Sequence, residues 1–177
     1  MKAYTSNNIR NIAVLGHGGK GKTTLCEAML YIAGASDRLG RVADGNTVLD
    51  FDSEEKRRKS SVSSAIAALE WDNTKLNIID APGLFDFEGG AAEAVRAAEA
   101  VLIVTSAGSG VDVGTEKAFR AAEKKGAAKF FAITKTDSDH RNFYKTFDAL
   151  KEVYGNKLCP TIIPYMEGNI TKCYVNL

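Results

Sequence analysis

Short apolar runs alternate with longer segments of helical period along this chain. Residues 9–15 form an apolar run of strand length, and residues 22–33 follow with Leu25, Met29 and Ile32 spaced as on one face of a helix. Further strands are predicted at 66–71, 75–80, 101–105, 130–134 and 161–164, and further helices at 89–100, 115–125 and 143–154. This alternation predicts an α/β fold in three layers, with a central sheet covered by helices on both faces.

One pair of predicted strands differs from the rest in its connection. Residues 66–71 and 75–80 are separated only by the turn-forming residues 72–74 (Asp-Asn-Thr), which favour an antiparallel hairpin. The other strands are joined through helices, as parallel strands require. We therefore expect a mostly parallel sheet with one antiparallel strand.

Two segments lack the periodicity of a helix or a strand. Residues 37–64 mix charge, Gly and Ser over a connection that is long for a compact domain, which is typical of a functional or mobile loop. Residues 165–177 contain no amphipathic helix of useful length. We expect an exposed apolar patch beside the last strand, and residues 1–177 to be a single domain, a fragment lacking its final helix and downstream domains.

The strongest chemical signal lies between the first strand and the first helix. Residues 16–23, GHGGKGKT, match G-x-x-x-x-G-K-[ST] in the strand–loop–helix context of a P-loop NTPase. Backbone amides there would surround phosphate oxygens, Lys22 would reach the β and γ phosphates, and Thr23 would ligate Mg²⁺. A Gly-rich turn that only caps the helix is the alternative. The residues predicted to contact the nucleotide here are His17, Gly18, Gly19, Lys20, Gly21, Lys22, Thr23 and Thr24. The His17 side chain is expected to face solvent or cap the helix.

A second candidate motif lies at the end of the predicted strand 75–80. Residues 80–83 (Asp-Ala-Pro-Gly) place a carboxylate where it could orient Mg²⁺ through its waters, and the Gly83 amide where it could bond a γ phosphate. Lys22 and Gly83 are the candidate catalytic residues, and Asp80 is a candidate metal residue. An ordinary turn after a strand is the alternative for this short motif taken alone.

A third candidate motif follows the predicted strand at 130–134. Residues 134–137 (Thr-Lys-Thr-Asp) resemble the N/T-K-x-D element that recognises guanine. The Asp137 carboxylate can accept from the guanine N1–H and 2-amino group, donors that adenine lacks there, while Lys135 covers the base and Thr134 replaces the commoner Asn. A solvated polar turn is the alternative.

Composition excludes several function classes. Lys and Arg total 23 against 22 Asp and Glu, so no overall charge draws the chain to DNA or to an anionic membrane. The basic residues 57–59 are expected to be solvated surface. Three widely spaced cysteines and a polar amino terminus favour neither disulfides, nor zinc, nor secretion, and they predict a cytoplasmic protein.

These motifs together resemble the GTPase domain of the elongation factor G group, and within it the elongation-factor-G-like proteins. The matching words are GHGGKGKTTLCEAMLY, RLGRVADGNTVLDFDSEEKRR, LNIIDAPG, GVDVGTEKAFRAAEKKG and ITKTD. The resemblance implies a translational GTPase module that binds GTP and GDP with Mg²⁺, and it alone implies the ribosome as a partner. It also implies that Ser61 ligands Mg²⁺ in the triphosphate state.

The sequence departs from that family at informative positions. Leu84 stands where translation factors carry the His that positions the attacking water, and Gly19 stands where several carry an acidic residue. The Ser-Ala-x-Lys word, which contacts guanine, is absent after Thr161.

Three functions remain open on the sequence. The first is a slow GTPase whose switches at 38–64 and 80–88 order around γ phosphate and Mg²⁺. The second is a module that senses GTP against GDP without useful hydrolysis. The third is an ATPase whose loop reads K-G-G-x-G-K-T, from which residues 17–23 differ only at His17.

Overall fold

The computed structural model describes residues 2–137, 142–167 and 170–177. Its strands and α-helices, in chain order, are Ile9–Leu15 (β1), Lys22–Ile32 (α1), Ser53–Arg58 (α2), Ala65–Trp71 (β2), Thr74–Asp80 (β3), Glu88–Ala97 (α3), Ala100–Ser106 (β4), Val113–Lys125 (α4), Ala128–Thr134 (β5), Phe143–Tyr154 (α5), Ile162–Glu167 (β6) and Ile170–Asn176 (β7).

The central sheet has five strands in the order β2-β3-β1-β4-β5. β1 pairs in parallel with both β3 and β4, β5 pairs in parallel with β4, and β2 alone is antiparallel, against β3. The turn between β2 and β3 consists of Asp72 and Asn73, with φ values of 43° and 57°. Two successive positive φ angles match the right-handed twist of a hairpin, and Asp and Asn tolerate them well. The predicted sheet, with one antiparallel strand, is confirmed.

Helices cover both faces of this sheet. Successive residues of a strand point to opposite sides, so each face has apolar side chains to bury. Ala13 packs in a cluster with Val95, Ala118 and Ala122 of α3 and α4. The next residue, Val14, packs on the other face in a cluster with Cys26 and Leu30 of α1. The three-layer α/β architecture of a P-loop NTPase is therefore confirmed.

The sheet brings the candidate motifs together at the carboxyl ends of its strands. β1 and β3 run in register, with Val14 opposite Asp80. Immediately after β1, Gly16 has φ 141°, and a Cβ at this position would overlap the carbonyl oxygen of Val104 in β4. Only glycine lets the loop leave the sheet so close to a neighbouring strand.

The irregular segment at 37–64 contains one helix that the periodicity did not predict. α2 spans only Ser53–Arg58, too short to show a helical repeat. Asp52 caps its first turn and Glu55 reaches back to the Asp52 amide, which completes a capping box. The left-handed Lys59, with φ 54°, ends the helix.

The carboxyl-terminal part of the chain differs from the prediction. β6 pairs with β7 in a separate two-stranded sheet, so the prediction of residues 161–164 as the last strand of the main alternation is wrong. The hydrogen bonds of β6 are satisfied by the following segment of chain rather than by the sheet. Where a strand pairs is a long-range choice that its own composition does not specify.

An apolar cleft separates β5 from this hairpin. It encloses about 650 Å³, and among the residues that line it are Phe130 of β5, Phe147 of α5 and Ile162 of β6. Phe130 and Ile162 remain 60% and 59% exposed. The described residues of the tail therefore leave the expected apolar surface uncovered.

Within the ranges 2–137, 142–167 and 170–177, no helix combines the length and the apolar character needed to cross a membrane.

Candidate functional site

The loop between β1 and α1 presents backbone donors at the start of a helix. Gly21, with φ 87°, occupies the N-cap position of α1 and offers no side-chain cap. Among the residues that the structure describes, the amides of 18–24 donate to no protein carbonyl. Free amides at the positive end of a helix dipole form a site for an anion.

Lys22 brings a positive charge into the same place. Its side chain is buried, and its Nζ donates to the carbonyl oxygens of Gly16 (3.1 Å) and His17 (3.2 Å). A Cβ at Gly83 would overlap this Nζ, so Gly83 closes against the ammonium group. Burial lowers the pKa of Lys22, while the nearby Asp80 acts in the opposite direction. The two candidate catalytic residues thus lie in contact, at the junction of the loop and the second switch.

Beside Lys22, two hydroxyls and two carboxylates form a buried cluster of oxygen atoms. Thr23 Oγ1 donates to Asp80 Oδ2 over 2.6 Å and lies 3.2 Å from Ser61 Oγ. Ser61 Oγ in turn donates to Asp50 Oδ1 over 2.7 Å. All four side chains are buried, with exposed fractions between 1% for Asp80 and 9% for Ser61. The cluster joins α1, the first switch and the end of β3.

The cluster suits a small divalent cation. Asp80 Oδ1 and Asp50 Oδ2 are buried and, within the described residues, have no hydrogen-bond partner. Thr23 donates its hydroxyl proton to Asp80, which leaves the lone pairs of its oxygen for a metal. Mg²⁺ prefers carboxylate, hydroxyl and water oxygens, and unpartnered buried oxygens are otherwise costly. The residues present therefore fit Mg²⁺.

Burial also alters the acidity of both carboxyl groups. It raises the pKa of Asp80 to about 7, although the Thr23 hydrogen bond and the Lys22 charge oppose this change. Burial raises the pKa of Asp50 as well, against the hydrogen bond from Ser61. Both carboxylates are thus destabilised in the charged form that a cation would favour.

The second switch (residues 80–88) continues past Gly83 along the loop of residues 16–23, the phosphate loop. The Leu84 side chain lies against Gly18, where a Cβ would be 2.9 Å from Leu84 Cδ2. The ring of Phe85 packs against the ring of His17, with centroids 5.4 Å apart. His17 is half-buried against the second switch and does not cap α1, so the predicted helix cap is wrong and the predicted exposure holds only in part.

The candidate guanine element is tied directly to the phosphate loop. Thr134 Oγ1 donates to the carbonyl oxygen of Lys20 over 2.6 Å, and Lys135 Nζ donates to the carbonyl oxygen of Gly19 over 2.6 Å. A hydroxyl at position 134 thus fixes the loop from the end of β5. Asp137, exposed, is the last residue described before the gap at 138–141.

The remaining loop residues divide into two groups. Gly18, Gly19, Gly21 and Thr24 line a cleft of about 190 Å³ together with Lys22, Thr23 and Ser61. The side chain of Lys20 instead contacts Ser109 and Asp112, the latter through a 3.2 Å ion pair. In this arrangement Lys20 offers the loop its backbone amide, while its side chain points away from the cleft.

Comparison with known proteins decides the family of this chain. The model of the "Elongation factor Tu GTP binding domain" family matches residues 7–172. The chain belongs to this family. It is a GTP-binding domain of the translational GTPase type, which argues against the ATPase alternative.

The similar proteins are translation factors and their relatives. The chain is 38% identical over 162 residues to an elongation factor G-like protein of Mycobacterium tuberculosis, covering 92% of this chain and 23% of that protein. It is 33% identical over 164 residues to elongation factor G of Granulibacter bethesdensis, covering 93% and 24%. The resemblance to the elongation-factor-G-like group is confirmed, and the chain spans about a quarter of the length of these relatives.

Solved structures agree with this assignment. A Thermus thermophilus protein of known crystal structure superposes with a TM-score of 0.89 at 38% identity, over 95% of this chain and 25% of that one. A bacterial selenocysteine-specific elongation factor superposes with a TM-score of 0.68 at 25% identity, over 84% of this chain and 24% of that one.

Sequence reasoning missed three buried acidic residues of this GTP-binding domain. Asp50 accepts the hydrogen bond from Ser61, and Glu27 and Glu55 accept hydrogen bonds from backbone amides of the first switch. The Asp52–Glu55 spacing of a capping box was the one available signal. The basic residues 57 and 58 form ion pairs with Glu54 at the surface, as expected of a solvated run.

The raised pKa of Asp80 predicts a stability cost that a substitution should remove. Between the ordinary carboxyl pKa of 3.8 and about 7, the folded state binds more protons than the unfolded state, so the free energy of unfolding falls as pH rises. Asp80→Asn should therefore raise the melting temperature of the metal-free, nucleotide-free chain. The gain in the free energy of unfolding should be larger at about pH 8 than at about pH 5.5, by at most about 2 kcal/mol.

Thermal unfolding followed by circular dichroism at the two pH values measures this effect. Asp86→Asn, at an exposed position of the second switch, is the matched control and should change little. A melting temperature for Asp80→Asn equal to or below that of the unsubstituted chain at about pH 8 would show that burial of Asp80 carries no such cost.

Proposed function

We propose that this domain binds GTP and GDP with Mg²⁺ and hydrolyses GTP slowly, as the molecular switch of an elongation-factor-G-like protein. The observation that carries the proposal is the contact of Thr23, Ser61, Asp50 and Asp80 in one buried oxygen cluster beside Lys22. This arrangement supports the proposal because it would join a phosphate-binding loop to a metal site.

The phosphate end of the nucleotide is expected between the loop and Gly83. The amides of 18–24 would donate to the α and β phosphate oxygens, and Lys22 would exchange its bonds to the Gly16 and His17 carbonyls for phosphate oxygens. The Gly83 amide, next to the ammonium group, would donate to the γ phosphate. These groups stabilise the charge that develops as the bond from the γ phosphorus to the bridging oxygen breaks.

The metal residues fall into two roles. Thr23 and Ser61 offer hydroxyl oxygens as direct ligands, whereas Asp80 and Asp50 accept from those hydroxyls and can hold metal-bound waters. Mg²⁺, when bound, neutralises charge on the β and γ phosphates. The carboxylates of this chain would keep both hydroxyls oriented toward that position.

Slow hydrolysis follows from Leu84. An aliphatic side chain neither accepts from nor donates to a water molecule, and it lies against Gly18 beside the expected γ phosphate. Attack by an unpositioned water on the γ phosphorus, which yields GDP and inorganic phosphate, would still gain from Lys22 and the loop amides. Turnover is therefore expected to be slow rather than absent.

The same residue favours a second candidate function. If Leu84 excludes water from the γ phosphate altogether, the domain acts as a GTP/GDP-binding module without useful hydrolysis. Its output would then depend only on the different affinities of the two nucleotides for alternative conformations of the switches.

The role of the whole protein is proposed from its relatives. The similar proteins include elongation factor G and the mitochondrial ribosome-releasing factor 2 of Debaryomyces hansenii. Ribosome engagement is the corresponding proposal for this chain, whose residues make up about a quarter or less of those proteins. The proposal of a cytoplasmic location comes from the sequence instead.

Nucleotide selectivity is the first test of this function. In titrations with Mg²⁺, GTP and GDP should bind more tightly than ATP. Lys22→Ala should weaken all binding, because it removes the buried ammonium, and Asp137→Ala should remove the preference for guanine. Isothermal titration calorimetry measures the three affinities.

Lys20→Ala provides the matched control, because the Lys20 side chain points to Ser109 and Asp112. It should affect affinity less than Lys22→Ala does. A preference for ATP, or guanine selectivity that survives Asp137→Ala, would refute the substrate assignment.

Hydrolysis is the second test, by single turnover with and without ribosomes. The isolated chain should hydrolyse GTP far more slowly than about 1 s⁻¹. Leu84→His should raise the rate about tenfold or more, because an imidazole can position water, whereas Leu84→Ala should not. A rate of about 1 s⁻¹ without partners would contradict slow hydrolysis, and equal rates for the two variants would show that position 84 does not position water.

A further inference from the structure

The first switch is anchored by the carboxylate of Glu55, which among the described residues makes no hydrogen bond to the oxygen cluster. Glu55 is 1% exposed, and its Oε1 accepts from the amides of Val62 (3.0 Å) and Ser63 (3.2 Å). Its Oε2 accepts from the Asp52 amide over 3.2 Å. One buried side chain thus ties the start of α2 to the segment that follows Ser61.

This anchor acts on Ser61 through the backbone. Val62 directly follows Ser61, so fixing the Val62 amide also fixes the peptide that carries the Ser61 carbonyl. On the other side, Lys59 adopts φ 54°, which turns the chain out of α2. Ser61 is therefore held between a left-handed turn and two hydrogen-bonded amides, with Oγ directed to Asp50 and Thr23.

A second buried carboxylate anchors the opposite side of the switch. Glu27 of α1 is fully buried, and its Oε1 accepts from the amides of Val48 (2.7 Å) and Leu49 (3.1 Å), immediately before Asp50. Gly40 closes over the same carboxylate, since a Cβ there would overlap Oε2. Glu27 lies one helical turn after Thr23, so α1 carries both a residue of the cluster and the anchor of its neighbour.

We propose that Glu55 and Glu27 are positioning residues that hold Ser61 and Asp50 in the metal-binding arrangement without help from nucleotide. The metal role of the cluster rests on the proposed function above, but the anchoring contacts do not. A charge-assisted acceptor for two backbone amides is among the stronger hydrogen-bonding arrangements in proteins. Part of the ordering of the first switch would therefore precede nucleotide binding.

Isosteric substitution distinguishes the two anchors. Both oxygens of Glu55 accept from amides, so Glu55→Gln must present an NH₂ group to at least one N–H donor. Glu27→Gln can keep its oxygen toward Val48 and Leu49 and turn the NH₂ toward the side where Oε2 has no partner among the described residues. We expect a large effect from the first substitution and a small one from the second.

The first measurement is amide hydrogen exchange on the nucleotide-free chain. The amides of Val62 and Ser63 should be protected in the unsubstituted protein and should lose protection at least about tenfold in Glu55→Gln. Glu54→Gln is the matched control, because Glu54 is a neighbouring residue whose side chain is 38% exposed and ion-paired. Equal exchange at 62 and 63 in the unsubstituted chain and Glu55→Gln would overturn the proposal.

The second measurement is the dependence of GTP binding on Mg²⁺. Glu55→Gln should weaken the Mg²⁺-dependent part of the affinity about tenfold, the size typical of losing a residue that orients a metal ligand. GDP affinity without Mg²⁺, which depends on the phosphate loop, should stay unchanged and so report correct folding. Glu55→Gln with Ser61→Ala should be no weaker than Ser61→Ala alone, because both changes act through the same hydroxyl.

The outcomes separate this inference from the proposed function. Additive losses in the double variant, or an unchanged Mg²⁺ dependence in Glu55→Gln, would overturn the positioning role. An unsubstituted chain whose GTP binding ignores Mg²⁺ would instead refute the proposed metal site, and hydrogen exchange at Val62 and Ser63 would still decide whether Glu55 anchors the switch.

Discussion

The site depends on the electrostatic cost of burying two carboxylates in one cluster. Asp80 and Asp50 are 1% and 4% exposed, and each retains an oxygen with no hydrogen-bond partner among the described residues. Charge without solvent is stable only when it is compensated. Lys22 and the hydroxyls of Thr23 and Ser61 compensate part of it, and a divalent cation bound to phosphate would compensate the rest. The phosphate loop, α1 and the first switch each supply groups that reduce this cost.

The sheet makes the arrangement possible by fixing where its strands end. β1 lies in the middle of the five strands and in register with β3, so the phosphate loop and Asp80 start from neighbouring positions. Ligand sites at the carboxyl ends of parallel strands follow from this topology. Gly16 then lets the loop after β1 pass close to Val104 of β4, and Gly83 lets the loop after β3 approach Lys22, both without steric overlap. The first switch adds Ser61 and Asp50 from a segment whose amides donate to the buried carboxylates of Glu55 and of Glu27 in α1.

The local motifs of the site could be predicted from sequence because each lies within a few residues of chain. The phosphate loop specifies its glycines, Lys22 and Thr23 by spacing, and Asp80 by its place at the end of an apolar strand. Replacement of Asn by Thr134 is accommodated because its hydroxyl reaches the Lys20 carbonyl. The fold class followed from the same short-range alternation of strands and helices.

The parts that sequence did not predict depend on contacts between distant segments. Glu27 bonds amides 21 and 22 residues away, and no periodicity in α1 distinguishes it from a surface glutamate. Asp50 gains its role only when the folded switch brings it into contact with Ser61. The pairing of β6 with β7 likewise depends on a choice of partner, which strand composition leaves open.

The most direct measurement is the anomalous diffraction of Mn²⁺, substituted for Mg²⁺, in crystals grown with a non-hydrolysable GTP analogue. We expect a metal peak about 2.0–2.3 Å from Thr23 Oγ1 and Ser61 Oγ, with Asp80 and Asp50 around it and the phosphates on the amides of residues 18–24. A nucleotide bound elsewhere, or a metal peak away from both hydroxyls, would contradict it.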